Sequence, residues 1–140
     1  MLRELTRSIS RRFDAALAPT GIKITQLATL SALEACGPTR STDLARNMGV
    51  TESTLSRNLQ PLMAAAWIAV ERPTGRRSQQ VSLTDAGRLK IREAKRQQRV
   101  AQRELEQALG SARLDALHES IEDCLRLLHE GDGKPKTGTK

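Results

Sequence analysis

The stretch STDLARNMGVTESTLSRNLQ, residues 41–60, determines how the rest of this 140-residue chain is interpreted. Apolar residues occupy one side of a short helix over 41–48 and one side of a second helix that runs from Thr51 to about residue 65. These apolar residues are Leu44, Ala45 and Met48, then Leu55, Leu59 and Leu62. Gly49 can take a positive φ between the two helices, and Thr51 is a good N-cap for the second. The pattern predicts a helix-turn-helix, although the spacing by itself is common in helical proteins.

The outward side of the second helix carries short polar groups where an ordinary surface helix would favour Glu and Lys. The residues predicted to contact DNA from this helix are Thr51, Ser53, Thr54, Ser56, Arg57, Asn58 and Gln60. Arg, Asn and Gln side chains can each make two hydrogen bonds to a base edge in the major groove. The alternative is a polar face that is only solvated. Pro61 lies inside this helix and is expected to distort it.

The period of the apolar residues changes after the second helix. Ile68 and Val70, and later Val81 and Leu83, alternate with polar neighbours and predict a β-hairpin. Its loop, PTGRR over 73–77, is strongly basic. The hairpin residues predicted to contact DNA, in a narrow minor groove or at phosphates, are Arg72, Thr74, Arg76 and Arg77. Arg40 and Ser41, just before the helix-turn-helix, are predicted phosphate contacts.

Four further helices are predicted, over about 2–17, 24–36, 84–109 and 111–129, with Thr84 and Ser111 as caps for the last two. The first and last are amphipathic, lie far apart in the sequence and need an apolar partner. We predict a homodimer in which these terminal helices pack against a second copy, and an intramolecular bundle is the alternative. The predicted dimer contacts are Leu5, Ile9, Leu114, Leu117, Ile121, Cys124 and Leu128.

The charge of the chain predicts an anionic partner, with nucleic acid ahead of a membrane surface. The net charge is +7 and the pI is about 10.2. Residues 72–103 contain ten Lys or Arg and two acidic residues, whereas the acids concentrate in the C-terminal helices. Only two aromatic residues, Phe13 and Trp67, occur. This composition argues against a protein that stacks single-stranded bases.

Several other functional classes are not supported by the sequence. No apolar run reaches the roughly 18 residues that a membrane span needs, and no signal-peptide core follows Met1, so a cytoplasmic protein is expected. Cys36 and Cys124 lack a CxxC spacing and are interpreted as buried thiols. His118 and His129 have no partners for catalysis or metal binding. We therefore predict no enzyme activity, no catalytic residue, no metal and no cofactor.

The helix-turn-helix and the basic hairpin together resemble the MarR family of winged helix-turn-helix regulators, over roughly residues 5–129. The resemblance lies in residues 41–59 and in RRSQQVSLTDAG, residues 76–87. It implies that Ser53, Thr54, Ser56, Arg57 and Gln60 read bases and that Arg76 and Arg77 are the wing arginines. The terminal helices would form the dimer interface, which would place the two recognition helices about one DNA turn (roughly 34 Å) apart on a pseudo-palindrome.

The resemblance has three departures. Gly75 stands where the family usually has an acidic residue, and the hairpin loop is about one residue short. Ala66-Trp67-Ile68 replaces a common Gly-Leu-Ile, so Trp67 is predicted to fill core.

The sequence thus predicts a mainly α fold with a small β-hairpin wing, a winged helix-turn-helix with N- and C-terminal dimerisation helices. Residues 1–22 and 104–130 would form the dimerisation region, 23–103 the DNA-binding domain and 131–140 a disordered tail. The predicted function is a sequence-specific regulator of transcription, a repressor that binds double-stranded DNA as a homodimer and is released by an unidentified small-molecule effector. The alternative is a nonspecific DNA-coating protein or a protein-interaction module.

Overall fold

The computed structural model describes residues 1–75 and 79–132. It is mainly α with a small antiparallel sheet, which confirms the predicted fold class. The elements in chain order are α1 (Leu2–Leu17), a 3₁₀ turn (Ala18–Thr20), α2 (Ile24–Cys36), β1 (Thr39–Arg40), α3 (Ser41–Met48), α4 (Glu52–Ala64), β2 (Ile68–Glu71), β3 (Gln80–Leu83), α5 (Asp85–Leu109) and α6 (Ser111–Asp132). No described helix is long and apolar enough to span a bilayer.

The junction between α1 and α2 is closed by local hydrogen bonds. Gly21 ends the 3₁₀ turn at φ +73°, a left-handed conformation that favours glycine. The backbone N–H of Ile24, the first residue of α2, donates to Oδ1 of Asp14 at 2.8 Å. The backbone N–H of Lys23 donates to Oε1 of Gln26 at 3.0 Å. These bonds satisfy polar groups at the start of α2 and fix where it begins.

The sheet has three antiparallel strands in the order β1-β3-β2, one more than the predicted hairpin. In the hairpin, Ile68 lies opposite Leu83, and Glu71 lies opposite Gln80. The additional strand, β1, pairs Thr39 with Val81. With two residues, β1 is too short for an alternating pattern to predict it.

The chain divides into two compact units, Met1–Ala101 and a second one that begins at Gln102. The first unit contains the helix-turn-helix and the sheet around a core of aliphatic side chains, and Trp67 packs partly buried against that core as predicted. The buried core residues are Leu17, Ile22, Leu27, Leu30, Leu33, Leu44, Ala45, Leu55, Leu59, Leu62, Ile68, Val81, Ile91 and Ala94. The inward sides of α3 and α4 therefore anchor the helix-turn-helix to the rest of the unit.

The start of α5 packs closely against the residue that precedes β2. The hydroxyl of Thr84 accepts from the backbone N–H of Gly87 at 3.0 Å, as expected for a cap, and donates to the carbonyl of Ala66 at 2.7 Å. The backbone N–H of Thr84 donates to the carbonyl of Trp67 at 3.1 Å. A Cβ atom on Gly87 would overlap that same carbonyl oxygen. The glycine therefore permits a close approach of the two backbones.

In the second unit, two boundaries differ from the prediction. Gly110, at φ +80°, precedes α6 and its carbonyl accepts from the N–H of Leu114 at 3.1 Å, so Gly110 and not Ser111 is the N-cap residue. The helix continues through Asp132, two residues into the predicted disordered tail, because a helix already formed can extend over polar residues. Residues 133–140 lie outside the described residues, and the predicted domain boundaries stay a prediction.

Candidate nucleic-acid interface

The turn between α3 and α4 is built by the residues that the sequence singled out. Gly49 ends α3 in a left-handed conformation at φ +66°, and the N–H of Val50 donates to the carbonyl of Ala45 at 3.0 Å. Thr51 has an extended backbone, and its hydroxyl accepts from the N–H of Thr54 at 3.2 Å. The predicted N-cap is therefore confirmed, and α4 begins with a fixed direction.

Helix α4 divides cleanly into a buried side and an exposed side. Leu55, Leu59 and Leu62 are at most 2% exposed. The predicted DNA-contacting residues lie on the other side, where Thr51, Ser53, Ser56, Arg57, Asn58 and Gln60 are exposed and Thr54 is half-buried. The helix runs three residues past Pro61 to Ala64. The arrangement leaves the polar groups accessible to a partner, while their contact with bases stays a prediction.

The hydroxyls in the first turn of α4 bond mainly to each other. The hydroxyl of Thr51 donates to that of Thr54 at 2.9 Å and lies 3.2 Å from that of Ser53. Arg57, by contrast, makes a long hydrogen bond of 3.5 Å from Nε to the carbonyl of Ser53. Its terminal nitrogens remain exposed donors, so Arg57 is better placed than Thr51 or Thr54 to bond to an external group.

The base of the wing contains an ordered arginine. With the Gln79 amide oriented so that its oxygen faces Arg72, this oxygen accepts from Nε and Nη2 of Arg72, both at 2.9 Å. These two hydrogen bonds to one oxygen hold the guanidinium beside the hairpin. Thr74 is exposed. Arg76 and Arg77, the two arginines predicted at the wing tip, lie outside the described residues.

A cavity of about 200 Å³ joins the wing base to the helix-turn-helix. It brings together the predicted site residues Ser41, Ser56 and Arg72, which belong to α3, α4 and the wing. The N–H of Ser41 donates to the carbonyl of Gln79 at 2.9 Å. Arg40, in β1, is exposed. Glu52, which the sequence reasoning did not select, also lines this cavity and adds a negative charge beside Arg72. The sequence alone does not place the Glu52 carboxylate at the base of the wing, because this arrangement depends on the tertiary fold.

Comparison with known proteins identifies the fold of this chain. No family model matches the chain, and no curated protein does either. Three solved proteins are structurally similar. The transcriptional repressor CouR, bound to a 23-mer DNA duplex, has a TM-score of 0.81 and 24% identity, over 89% of each chain. MosR of M. tuberculosis in complex with DNA has a TM-score of 0.70 and 26% identity, over 88% of this chain and 94% of its own. A MarR-family regulator from Rhodococcus has a TM-score of 0.75 and 18% identity, over 88% of each chain.

The chain has the fold of the MarR family. This confirms the fold that the resemblance of the two sequence motifs predicted. These structural neighbours are regulators of transcription and not enzymes. In the described part of the chain, no group of three or more His, Cys, Asp or Glu residues is placed to hold a metal ion.

Several cations of the predicted basic segment are already paired within the first unit. Nζ of Lys90 donates to the carbonyl of Thr20 at 2.7 Å and to Glu93 at 2.8 Å, and lies 5.4 Å from the centre of the Trp67 ring. Lys95 forms an ion pair with Glu34 at 2.9 Å. These cations hold the start of α5 against its neighbours, so the charge available to DNA is smaller than the sequence indicates.

The predicted dimer residues of this MarR-type fold differ in exposure. Leu5, Ile121, Cys124 and Leu128 are exposed in the single chain, and Ile9 and Leu117 are half-buried. Leu114, at 3% exposed, is already covered within the protomer and has little surface to offer a second copy. The exposed large apolar residues of α6 are Ile121, Leu125, Leu127 and Leu128.

The expectation of a buried thiol is wrong for Cys36, whereas the burial expected for Cys124 in a dimer stays a prediction. Cys36 and Cys124 are both exposed in the single chain. Cys36 is the last residue of α2, where the helix leaves the core at Gly37, and Nδ2 of Asn47 lies 3.5 Å from its sulfur. Apolar neighbours in the sequence suggested burial, but helix ends are less covered than helix centres.

Proposed function

We propose that this chain is a MarR-family regulator of transcription that binds double-stranded DNA in a sequence-specific manner. Helix α4 would lie in the major groove, with Arg57, Asn58 and Gln60 at base edges. Arg40, Ser41, Arg72, Thr74, Arg76 and Arg77 would contact the backbone or the neighbouring minor groove. The protein would not be an enzyme, and it would work in the cytoplasm.

One observation carries this proposal. A helix that follows a tight glycine turn exposes hydrogen-bonding side chains from Thr51 to Gln60 on its outer side, while three leucines fix its inner side in the core. A rigid helix with short polar groups can follow the major groove, which admits one α-helix. CouR and MosR, which have a similar fold, are bound to DNA in their structures, and this supports a DNA-binding function for the present chain.

We further propose that the chain acts as a homodimer. Exposed leucine and isoleucine side chains on α6 form apolar surface that a second copy would cover, and Leu2 and Leu5 are exposed apolar side chains on α1. A two-fold axis would place the two α4 helices about one DNA turn apart, so that a pseudo-palindromic operator matches the protein.

The direction of regulation and its control are proposed by analogy. CouR is a transcriptional repressor and has also been captured with p-coumaroyl-CoA. We propose that the present chain is likewise a repressor that a small molecule releases.

Selection of binding sites from random duplex DNA tests the proposal. The wild-type chain should enrich one pseudo-palindromic sequence, and a gel shift with that duplex should give a discrete band that resists unlabelled random DNA. Enrichment of no sequence, or a smear that moderate salt removes, would instead favour the nonspecific DNA-coating function. If the chain shows no affinity for duplex DNA and instead binds a protein, the result would favour a protein-interaction module.

A further inference from the structure

A second cavity lies beside α4, on the side away from the wing. It has a volume of about 120 Å³ and separates the first turn of α2 from the exposed side of α4. We name it the α2–α4 cleft. Its lining residues are Lys23, Thr25, Gln26, Arg57, Asn58 and Pro61. None of the first three was selected from the sequence.

The α2–α4 cleft is lined by cations and by hydrogen-bond donors. Lys23 and Thr25 are exposed, and in the part of the chain that the structure describes neither Lys23 nor Arg57 forms an ion pair. Gln26 accepts from the N–H of Lys23 through Oε1, which leaves its amide nitrogen as a donor. The cleft thus presents donors from two separate helices toward the same space.

Among the residues that the structure describes, no carboxylate lines the α2–α4 cleft. Asp14, whose carboxylate accepts from the N–H of Ile24, is absent from the lining. The cavity on the wing side differs, because Glu52 lines it beside Arg72. An anion therefore meets a more favourable potential in the α2–α4 cleft than in the wing-side cavity.

The two cavities lie on opposite flanks of α4. Glu52 and Ser56 line the wing-side cavity, whereas Asn58 and Pro61 line the α2–α4 cleft. At 100° per residue, Arg57 lies between these two pairs, on the side opposite the buried leucines. A helix about 10–12 Å wide that enters a major groove about 12 Å wide has a phosphate ridge along each flank. The α2–α4 cleft would face one of these ridges.

We propose that the α2–α4 cleft binds a phosphodiester of the DNA backbone next to the bases that α4 reads. Lys23 supplies the positive charge, and Thr25, Gln26 and Asn58 supply hydrogen bonds to the phosphate oxygens. The proposal rests on the proposed function and extends it, because the recognition helix is then held on both flanks, by the wing on one side and by α2 on the other.

The test removes one charge from the cleft and measures binding as a function of salt. Lys23→Gln should lower the slope of log K against log salt by about 0.9, as expected for one lost phosphate contact. Taking 1 M salt as the reference, this slope corresponds to an affinity loss of about eightfold at 0.1 M salt and about twofold at 0.5 M. The loss should be equal on the selected duplex and on a scrambled one, because a phosphate carries no sequence information.

Arg7→Gln is the matched control, since it also removes one exposed positive charge, from α1, and Arg7 lines neither cavity beside α4. It should leave the slope close to the wild-type value. Thr25→Ala, which keeps the charge, should weaken binding by a smaller factor with no change in slope. Circular dichroism checks that each variant is folded.

The outcomes separate this proposal from the one on which it rests. If the wild-type chain binds its selected duplex and Lys23→Gln binds with the same affinity and slope, the phosphate site is wrong and the regulator stands. An equal slope change in Arg7→Gln would also overturn it, because the effect would then be one of net charge. A wild-type chain without affinity for duplex DNA removes both proposals.

Discussion

The contact between Gly87 and Trp67 predicts that Gly87→Ala destabilises the protein strongly. The added Cβ atom would overlap the carbonyl oxygen of Trp67 and lie 2.8 Å from Cδ1 of Leu83. A rotamer change of Leu83 relieves only the second contact. The overlap with the Trp67 carbonyl has no such relief, because a Cβ atom is placed by the backbone of its own residue and the carbonyl oxygen is part of the backbone. This carbonyl also accepts from the N–H of Thr84 at 3.1 Å. The start of α5 must therefore move away from Trp67.

The size of this effect follows from three contributions. Overpacking of a fixed site costs about 1–3 kcal/mol. Weakening the bond between Thr84 and Trp67 costs about 1 kcal/mol. Replacing glycine by alanine in a helix regains up to about 1 kcal/mol. We expect a net loss of about 2 kcal/mol in the free energy of unfolding, which corresponds to a fall in Tm of roughly 6 °C for a chain of this size.

Urea titration followed by circular dichroism measures this loss, with Ala86→Gly as the control. The control exchanges the same two residue types at the neighbouring, exposed position of α5 and should cost at most about 1 kcal/mol. A Gly87→Ala protein as stable as the wild type, or more stable, would refute the reasoning, because helix propensity would then outweigh the backbone overlap.

Three further predictions concern the recognition helix and the dimer. Arg57→Ala should cost roughly 1–3 kcal/mol of binding to the selected duplex and reduce discrimination against duplexes with one changed base pair, as measured by competitive fluorescence anisotropy. Unchanged discrimination would mean that Arg57 contacts no base. Thr51→Ala removes the hydroxyl that caps α4 and should lower the free energy of unfolding by about 1 kcal/mol in a urea titration, and an unaltered midpoint would contradict this role. Ile121→Glu should shift sedimentation toward the monomer, because a charge would be buried in the proposed interface, whereas Ala112→Glu, on the opposite side of α6, should remain dimeric. Equal behaviour of these two variants would place the interface elsewhere.

Most of the secondary structure could be predicted because its causes are local. The bounds of α1, α2 and α3 agree with the predicted segments, since apolar spacing of three to four residues and a following Pro or Gly act within a single turn. The cap at Thr51 depends on a neighbour three residues away. The strand β1 could not be predicted in this way, because its two residues become a strand only through pairing with β3, about 40 positions later.

The candidate site was predicted in part for the same reason. The polar side of α4 follows from the helical period alone, so its members could be named from the sequence. The exposure of Cys36 depends on which element covers the end of α2, and sequence neighbours gave the wrong answer. From the sequence, Lys90 counts as a cation available to DNA, whereas in the fold its Nζ donates to the carbonyl of Thr20, 70 residues away.

The sequence by itself determined the helices, the turn between α3 and α4, and the side of α4 that faces solvent, because each depends on contacts within a few residues. Only the tertiary structure decided which charges remain available and which residues flank α4. Lys23 and Asn58 line one cleft although they are distant along the chain, and Glu52 and Arg72 line one cavity at the base of the wing. Electrostatic interactions act over distances in space, and the sequence alone does not contain those distances.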